Sequence, residues 1–130
     1  MATFSYTILY VQDVTRTIEF YEKAFAFKRK FIAENSYGEL NTGNTTLSFA
    51  SITQAESNLK DGFTQNNNKN KPFGFEIGIT TDDVEKLYNH AIKCGAIAIT
   101  APKLTSHGQT VSYVRDLDGF LIEICTPVEG

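Results

Sequence analysis

The chain has 130 residues, with 12 Lys and Arg against 15 Asp and Glu and a formal net charge of −3 at pH 7. At 42% hydrophobic and 21% charged, the composition is typical of one globular domain over residues 1–130 and excludes a disordered chain. The absence of excess basic charge argues against nucleic acid or an anionic membrane surface as partner, and no apolar run approaches the ~18 residues of a membrane helix.

A weak internal repeat, offset by 70 residues, organises the predicted elements. The β-type runs at residues 6–12 and 76–82 are each followed by Asp-Val, at Asp13 and Asp83, and then by a helical pattern. The two halves of the chain are therefore expected to share one architecture.

Both helices are predicted from apolar residues at helical spacing. The stripes are Val14, Ile18, Tyr21 and Phe25 in the first half and Val84, Leu87, Tyr88 and Ala91 in the second. Asp82 and Glu85 have the spacing of an acidic capping box, which predicts Asp82 as the N-cap of the second helix. Gly95 is a typical C-terminal stop for that helix.

Three further β-like segments follow each helix. They are residues 27–33, 37–41 and 45–52 in the first half and residues 96–100, 109–115 and 120–126 in the second. Asp118-Gly119 predicts a tight turn between the last two. Each half is therefore predicted to be βαβββ and the fold α+β, with module one at about 4–53 and module two at about 72–128.

The polar stretch at residues 54–71 separates the two modules and includes an Asn-rich run. Two interpretations stay open for it. A solvated connector is favoured, and a mobile flap over a ligand site is the alternative, because long loops often carry function.

Each predicted sheet has one face that its helix does not cover, and that face must be covered by something else or bind a ligand. Strand alternation places a mixed set of side chains there. The set is Tyr6, Tyr10, Glu76, Gly78, Thr80, Glu123 and Cys125. Aromatic rings, carboxylates and a glycine are typical of a polar pocket, so the two modules are expected to form a cleft.

Three segments of the sequence resemble the vicinal oxygen chelate superfamily, which includes glyoxalase I, extradiol dioxygenases, fosfomycin-modifying enzymes and bleomycin-resistance binding proteins. They are residues 9–14 (LYVQDV) leading into 20–25 (FYEKAF), 81–84 (TDDV) with a helix ending at 94–95, and 115–123 (RDLDGFLIE). The last is similar to the Asp-Pro-Asp-Gly turn of the family, with Leu117 in place of the proline. The resemblance covers essentially the whole chain and implies the fold but no particular activity.

The resemblance also implies four positions at which metal-dependent members hold His and Glu ligands. They correspond to Tyr6, Ser48, Glu76 and Glu123, while His90 and His107 fall outside the pattern. Two carboxylates and no imidazole remain, whereas Zn, Ni or Fe sites usually use three or four good donors that include His or Cys. We therefore expect no tightly bound metal, with a weakly held divalent ion such as Mg or Mn as the alternative.

Other chemistries find little support in the sequence. No phosphate-binding glycine loop and no nucleophile elbow occur. Cys94 lies at a predicted helix end where the helix dipole disfavours a thiolate, and Cys125 is interpreted as a small lining residue. Two cysteines do not make a disulfide framework, which favours a reduced, cytoplasmic protein; no signal-peptide pattern is found.

Three functions stay open, so whether the chain is an enzyme is uncertain. The favoured one is a metal-free protein that binds a small molecule, similar to the resistance branch of the family, with Tyr6, Tyr10, Ser48, Glu76 and Glu123 lining a site for an aromatic or cationic ligand. A second is a divalent-metal-dependent lyase of the glyoxalase I (lactoylglutathione lyase) type or a dioxygenase, with Glu76 and Glu123 as base and ligand. A third is a non-catalytic dimerisation module.

Two further expectations concern partners. Open sheet edges and the usual pairing in the family predict a homodimer, with or without exchange of modules between chains. For the two carboxylates, the alternative to ligand binding is a pair with a basic side chain, of which Arg115 is a candidate.

Overall fold

The computed structural model describes residues 1–128 and contains eight strands and three helices in that range. In chain order they are β1 (Tyr6–Val11), α1 (Val14–Phe25), β2 (Lys28–Ala33), β3 (Tyr37–Asn41), β4 (Thr46–Ser51), α2 (Ile52–Asn58), β5 (Ile77–Thr80), α3 (Val84–Lys93), β6 (Ile97–Leu104), β7 (Thr110–Arg115) and β8 (Leu121–Cys125). The predicted α+β class and the two βαβββ modules are confirmed. Within the described residues, no helix is both long enough and apolar enough to cross a membrane.

The chain divides into two compact units, Met1–Gln65 (unit 1) and Asn66–Gly130 (unit 2), and the division falls inside the predicted connector. Unit 1 contains a four-stranded sheet in the order β1-β4-β3-β2, and unit 2 one in the order β5-β8-β7-β6. In both sheets the first strand pairs in parallel with the last, and the remaining pairs are antiparallel. The repeat found in the sequence is therefore a repeat of topology.

In unit 1, helix α1 covers one face of the sheet. Its buried stripe includes Ile18 and Tyr21, and the Tyr21 ring centroid lies 5.2 Å from that of Phe49 on β4. Asp13 caps the helix, since its Oδ1 accepts a hydrogen bond from the Arg16 backbone N–H at 3.2 Å. The apolar spacing thus forms the helix and also supplies its core contact.

In unit 2, helix α3 buries Val84, Tyr88 and Ala91 in the same way. The predicted N-cap at Asp82 is wrong by one residue. Asp83 caps the helix, because its Oδ1 accepts from the Lys86 backbone N–H at 3.1 Å. Asp83 thereby takes the place that Asp13 holds in unit 1.

Several boundaries differ from the prediction for local reasons. Residues 52–58 form helix α2 instead of a strand end and a loop, because the Ser51 hydroxyl caps them by accepting from the Gln54 backbone N–H at 3.0 Å. Strand β6 extends to Leu104, with register irregularities along it that accommodate the extra residues. Glu76 lies immediately before β5 rather than within it.

Candidate functional site

The candidate site residues lie on the face of each sheet opposite its long helix, which we call the distal face. In unit 1 that face includes Tyr6, Ile8, Tyr10, Tyr37, Glu39 and Ser48; in unit 2 it includes Gly78, Thr80, Tyr113, Glu123 and Cys125, with Glu76 preceding the strand. Buried apolar residues occupy the alternate positions, such as Leu9 and Val11 on β1 and Ile122 and Ile124 on β8. Alternation therefore separates a core face from a polar face, as predicted.

Strand register shows which distal positions are equivalent in the two units. Ile8 pairs with Ser48 across β1 and β4, and Gly78 pairs with Glu123 across β5 and β8. Since Ile8 and Gly78 are related by the repeat, Ser48 is the structural counterpart of Glu123. The residue-by-residue assignment of Ser48 made from the sequence thus agrees with the register.

Unit 2 brings Glu76 and Glu123 together. Glu76 is an exposed residue, but partial desolvation of its carboxyl group raises its pKa, and the neighbouring Glu123 raises it further through a hydrogen bond and charge repulsion. Ionisation of Glu76 is therefore less favourable beside Glu123 than it would be in water.

Tyr113 and Cys125 complete this cluster. The Tyr113 hydroxyl donates to Glu123 Oε2 at 3.1 Å, and burial together with the charges of Glu123 and Glu76 raises the pKa of Tyr113 to about 12. Cys125 is 4% exposed, and burial followed by the charge of Glu123 raises the pKa of its thiol. Both neighbours stay neutral at neutral pH, and a phenol or a thiol has no cationic form that could balance the carboxylates.

Unit 1 has a hydroxyl-rich version of the same arrangement, with one carboxylate, that of Glu39, instead of two. The Tyr37 hydroxyl donates to Glu39 Oε2 at 2.8 Å, and burial raises the pKa of Tyr37, opposed by a hydrogen bond with Ser48. Ser48 is fully buried, with its hydroxyl 3.4 Å from the Thr7 carbonyl oxygen. Tyr6, in contrast, is 52% exposed and presents its ring to solvent.

Tyr10, at the end of β1, is in contact with the segment that follows α2. Its ring centroid lies 4.7 Å from that of Phe63 at an interplanar angle of 62°, an edge-to-face arrangement. The Gln12 amide donates to Gln65 Oε1 at 3.2 Å nearby. This part of the predicted connector therefore lies against β1.

Arg115 is not the partner of the two carboxylates. Its guanidinium donates to Gly119 O at 2.8 Å, Asn70 O at 2.6 Å, Asn67 O at 2.9 Å and Asn66 Oδ1 at 3.4 Å. Arg115 and Asn66 are 5% and 6% exposed, so the residues after the unit boundary are not a freely solvated connector. Residues 1–128 form no ion pair with Glu76 or Glu123.

The four positions implied by the family can be tested for their fit to a metal ion. They supply two carboxylates, one phenol and one hydroxyl, and no imidazole. No group of three or more His, Cys, Asp or Glu side chains suited to a metal occurs in the part of the chain described. The donor set does not fit a Zn, Ni or Fe centre.

Four distal-face or neighbouring residues were missed by the sequence analysis: Tyr37, Glu39, Phe63 and Tyr113. Alternation along β3 and β7 was the available signal for three of them, because Tyr37, Glu39 and Tyr113 lie opposite Ala50, Ser48 and Glu123 in the register. No local pattern indicated that Phe63 contacts Tyr10.

Several solved structures have the same fold as this chain. A glyoxalase-related enzyme from Fulvimarina pelagi is 16% identical with a TM-score of 0.84, over 98% of this chain and 89% of that one. A glyoxalase/bleomycin resistance protein/dioxygenase family enzyme from Burkholderia phytofirmans PsJN is 22% identical with a TM-score of 0.83, over 98% and 100% of the two chains. TioX from Micromonospora sp. ML1 is 16% identical with a TM-score of 0.71, over 98% and 100%.

These identities are low enough that the structural likeness concerns the fold alone. No curated protein sequence matches the chain. A sequence profile of one family does match, over residues 3–124, in agreement with the segments that carry the resemblance and with the paired βαβββ modules. The chain therefore belongs to the Glyoxalase/Bleomycin resistance protein/Dioxygenase superfamily.

Proposed function

We propose that the protein binds a small molecule that carries a positive charge on an aromatic body, without the help of a tightly bound metal ion. The observation that carries this proposal is the Glu76–Glu123 pair, in which Glu123 contributes to the raised pKa of Glu76 and no basic side chain of residues 1–128 compensates. A ligand cation supplies the missing charge, because a positive charge beside two carboxylates offsets their repulsion.

The remaining site residues are assigned to the uncharged part of the ligand. Tyr6 exposes about half of its surface and Tyr10 is partly exposed, so their rings are available to an aromatic body. Ser48 is fully buried, and its hydroxyl lies near a backbone carbonyl. We assign it the role of orienting Tyr37, with which it forms a hydrogen bond. These assignments extend the prediction made from the sequence.

A thermal-shift experiment tests the carboxylate pair with three probes that share one ring: benzyltrimethylammonium, benzyl alcohol and benzoate. A ligand at about 100 times its dissociation constant stabilises the fold by roughly 2.7 kcal/mol, which is a visible shift in Tm. We expect the ammonium probe to raise the Tm of the wild type and the neutral and anionic probes to have little effect. The Glu76→Gln/Glu123→Gln variant is expected to lose the response to the ammonium probe.

The matched control is Glu19→Gln/Glu56→Gln, which removes two charges from exposed positions on α1 and α2. It should keep the wild-type response. A wild type that responds to no cation, or a Glu76/Glu123 variant that responds as the wild type does, contradicts the proposal. A double-mutant cycle between Glu76→Gln and Tyr6→Ala then measures whether charge and ring are bound in one site; additive effects would contradict that part.

We also propose that the protein is a homodimer. Support comes from the edge strands of each sheet, of which β6 exposes about half of Ile97 and Ile99. Sedimentation velocity at tens of micromolar is expected to give the mass of two chains, and Ile99→Lys is expected to shift the population toward one. A wild type that sediments as a monomer would overturn this proposal and leave the ligand proposal untouched.

A further inference from the structure

A second cluster of metal-binding side chains lies on α3, away from the distal face. His90 and Cys94 are four residues apart at the C-terminal end of the helix, and Cys94 Sγ lies 3.6 Å from His90 Nε2. His90 is exposed and Cys94 is partly exposed, so solvent reaches the pair. Neither residue corresponds to any of the four positions discussed above.

We propose that His90 and Cys94 form a two-ligand site for a thiophilic divalent cation, with Zn²⁺ as the representative ion. Tetrahedral zinc binds sulfur at about 2.3 Å and imidazole nitrogen at about 2.0–2.1 Å, which separates the two donor atoms by roughly 3.5–3.6 Å. The observed separation of 3.6 Å matches this value. The cation therefore fits between the two atoms without a change of backbone.

The surroundings of the pair favour a bound cation. The site is at the last turn of α3, where the helix dipole disfavours a thiolate alone but stabilises the net positive charge of Zn²⁺ bound to one thiolate. His90 is exposed and Cys94 partly exposed, so water can complete the coordination of a metal held by the pair. The Lys86 ammonium lies one helical turn before His90 and opposes the cation.

Binding of Zn²⁺ to this pair releases one proton. The metal-free pair is joined by a contact between the thiol and the imidazole, and Zn²⁺ binds the thiolate, so the thiol proton of Cys94 passes to solvent as the Zn–S bond forms. No redox change occurs. With two protein ligands, the affinity is lower than that of a four-ligand structural site.

Titration of the reduced full chain with Co²⁺ tests the site, because a cobalt–thiolate bond gives charge-transfer absorption in the near ultraviolet. We expect the band in the wild type, its displacement by Zn²⁺, its loss in Cys94→Ser, and at least tenfold weaker binding in His90→Ala. Cys125→Ser controls for the other thiol and should keep the band. Circular dichroism checks that each variant is folded, which is expected for the solvent-accessible His90 and Cys94 and has to be measured for the buried Cys125.

Four results would overturn the proposal: no band in the wild type, loss of the band in folded Cys125→Ser, retention in Cys94→Ser, or wild-type affinity in His90→Ala. Glu76→Gln/Glu123→Gln should keep the band. The site on α3 and the proposed cation site on the distal face are thereby tested independently.

Discussion

The two units share one topology but differ in the chemistry of their distal faces. At equivalent positions, unit 1 has Tyr6 and Ser48 where unit 2 has Glu76 and Glu123. Of the four positions implied by the family, the two that carry carboxylates are therefore adjacent to each other in unit 2. The two in unit 1 carry a phenol and a hydroxyl. A repeated backbone can therefore keep its fold while a few distal positions decide where charge is concentrated.

The units also differ in how the turn before the last strand is held. In unit 1, Asn41 occupies the register position equivalent to Arg115, and its side chain accepts from the Gly43 backbone N–H at 3.2 Å within the same turn. In unit 2, Arg115 reaches beyond the turn to residues 66–70. Both turns have local bonds, which in unit 2 run from the Asp118 and Phe120 backbone N–H groups to Asp116 Oδ1 at 3.0 and 2.8 Å. Only the second turn is also joined to a distant segment of the chain, through Arg115.

We expect the largest effect from Arg115→Met, which removes the hydrogen bonds that join this turn to residues 66–70. Hydrogen bonds to a charged group contribute about 1.5–3 kcal/mol each and are not additive, so the loss of four such bonds at a buried position should lower the free energy of unfolding by about 3 kcal/mol or more. Urea unfolding measures the change.

Arg29→Met is the control for this prediction. Arg29 forms an ion pair with Glu22 at 3.0 Å, but its side chain is 40% exposed, and exposed pairs contribute at most about 1 kcal/mol. Equal losses from the two variants would mean that the bonds of Arg115 add no more stability than a surface ion pair.

A glycine in each sheet allows a second, intermediate test. A Cβ at Gly38 would overlap Ile18 Cδ1 and lie 3.1 Å from Val14 Cγ1, so Gly38→Ala should displace the buried Ile18 side chain and cost about 1–3 kcal/mol. A Cβ at Gly78 meets nothing within 4 Å, and Gly78→Ala is expected to be neutral or slightly stabilising. Thermal unfolding of both variants compares them, and a Gly38→Ala protein as stable as the wild type would show that the helix is not in close contact at this point.

The smallest effect concerns the pH dependence of the carboxylate pair. The pKa of Glu76 is raised in the folded state, so its contribution to stability is complete below the unfolded value, near 4.5, and is lost as pH rises through the folded value. Glu76→Gln cannot ionise and should be more stable than the wild type at pH 8 but not at pH 4. The gain is below about 1 kcal/mol, because Glu76 is exposed and solvent screens the repulsion.

Urea unfolding at the two pH values measures this difference, with Glu19→Gln as the control for removal of one exposed charge. A Glu76→Gln protein that is less stable than the wild type at pH 8 would mean that a donor or cation holds the Glu76 carboxylate. That result would remove the basis for the proposed cation site.

Local patterns in the sequence determined the class of fold and most of its elements. The apolar stripes of both long helices, the repeat offset and the alternation in β1 and β8 each depend on spacing along the chain, and spacing is set by backbone geometry. For the same reason the sequence separated Tyr6, Ser48, Glu76 and Glu123 from the core residues between them. The capping residue of α3 was misplaced by one, because Asp82 and Asp83 have the same side chain and only backbone geometry distinguishes them.

Tertiary structure decided everything that depends on residues far apart in the chain. The contact of Glu76 with Glu123, the engagement of Arg115 with residues 66–70 and the packing of Phe63 on Tyr10 join segments separated by 45 to 53 residues. No periodicity specifies such pairs, since each is set by strand order and by the path of a loop. From the sequence alone, Arg115 was a possible partner for the carboxylates of Glu76 and Glu123. In the folded chain, backbone carbonyl groups surround the Arg115 guanidinium, and the two carboxylates have no basic partner among residues 1–128.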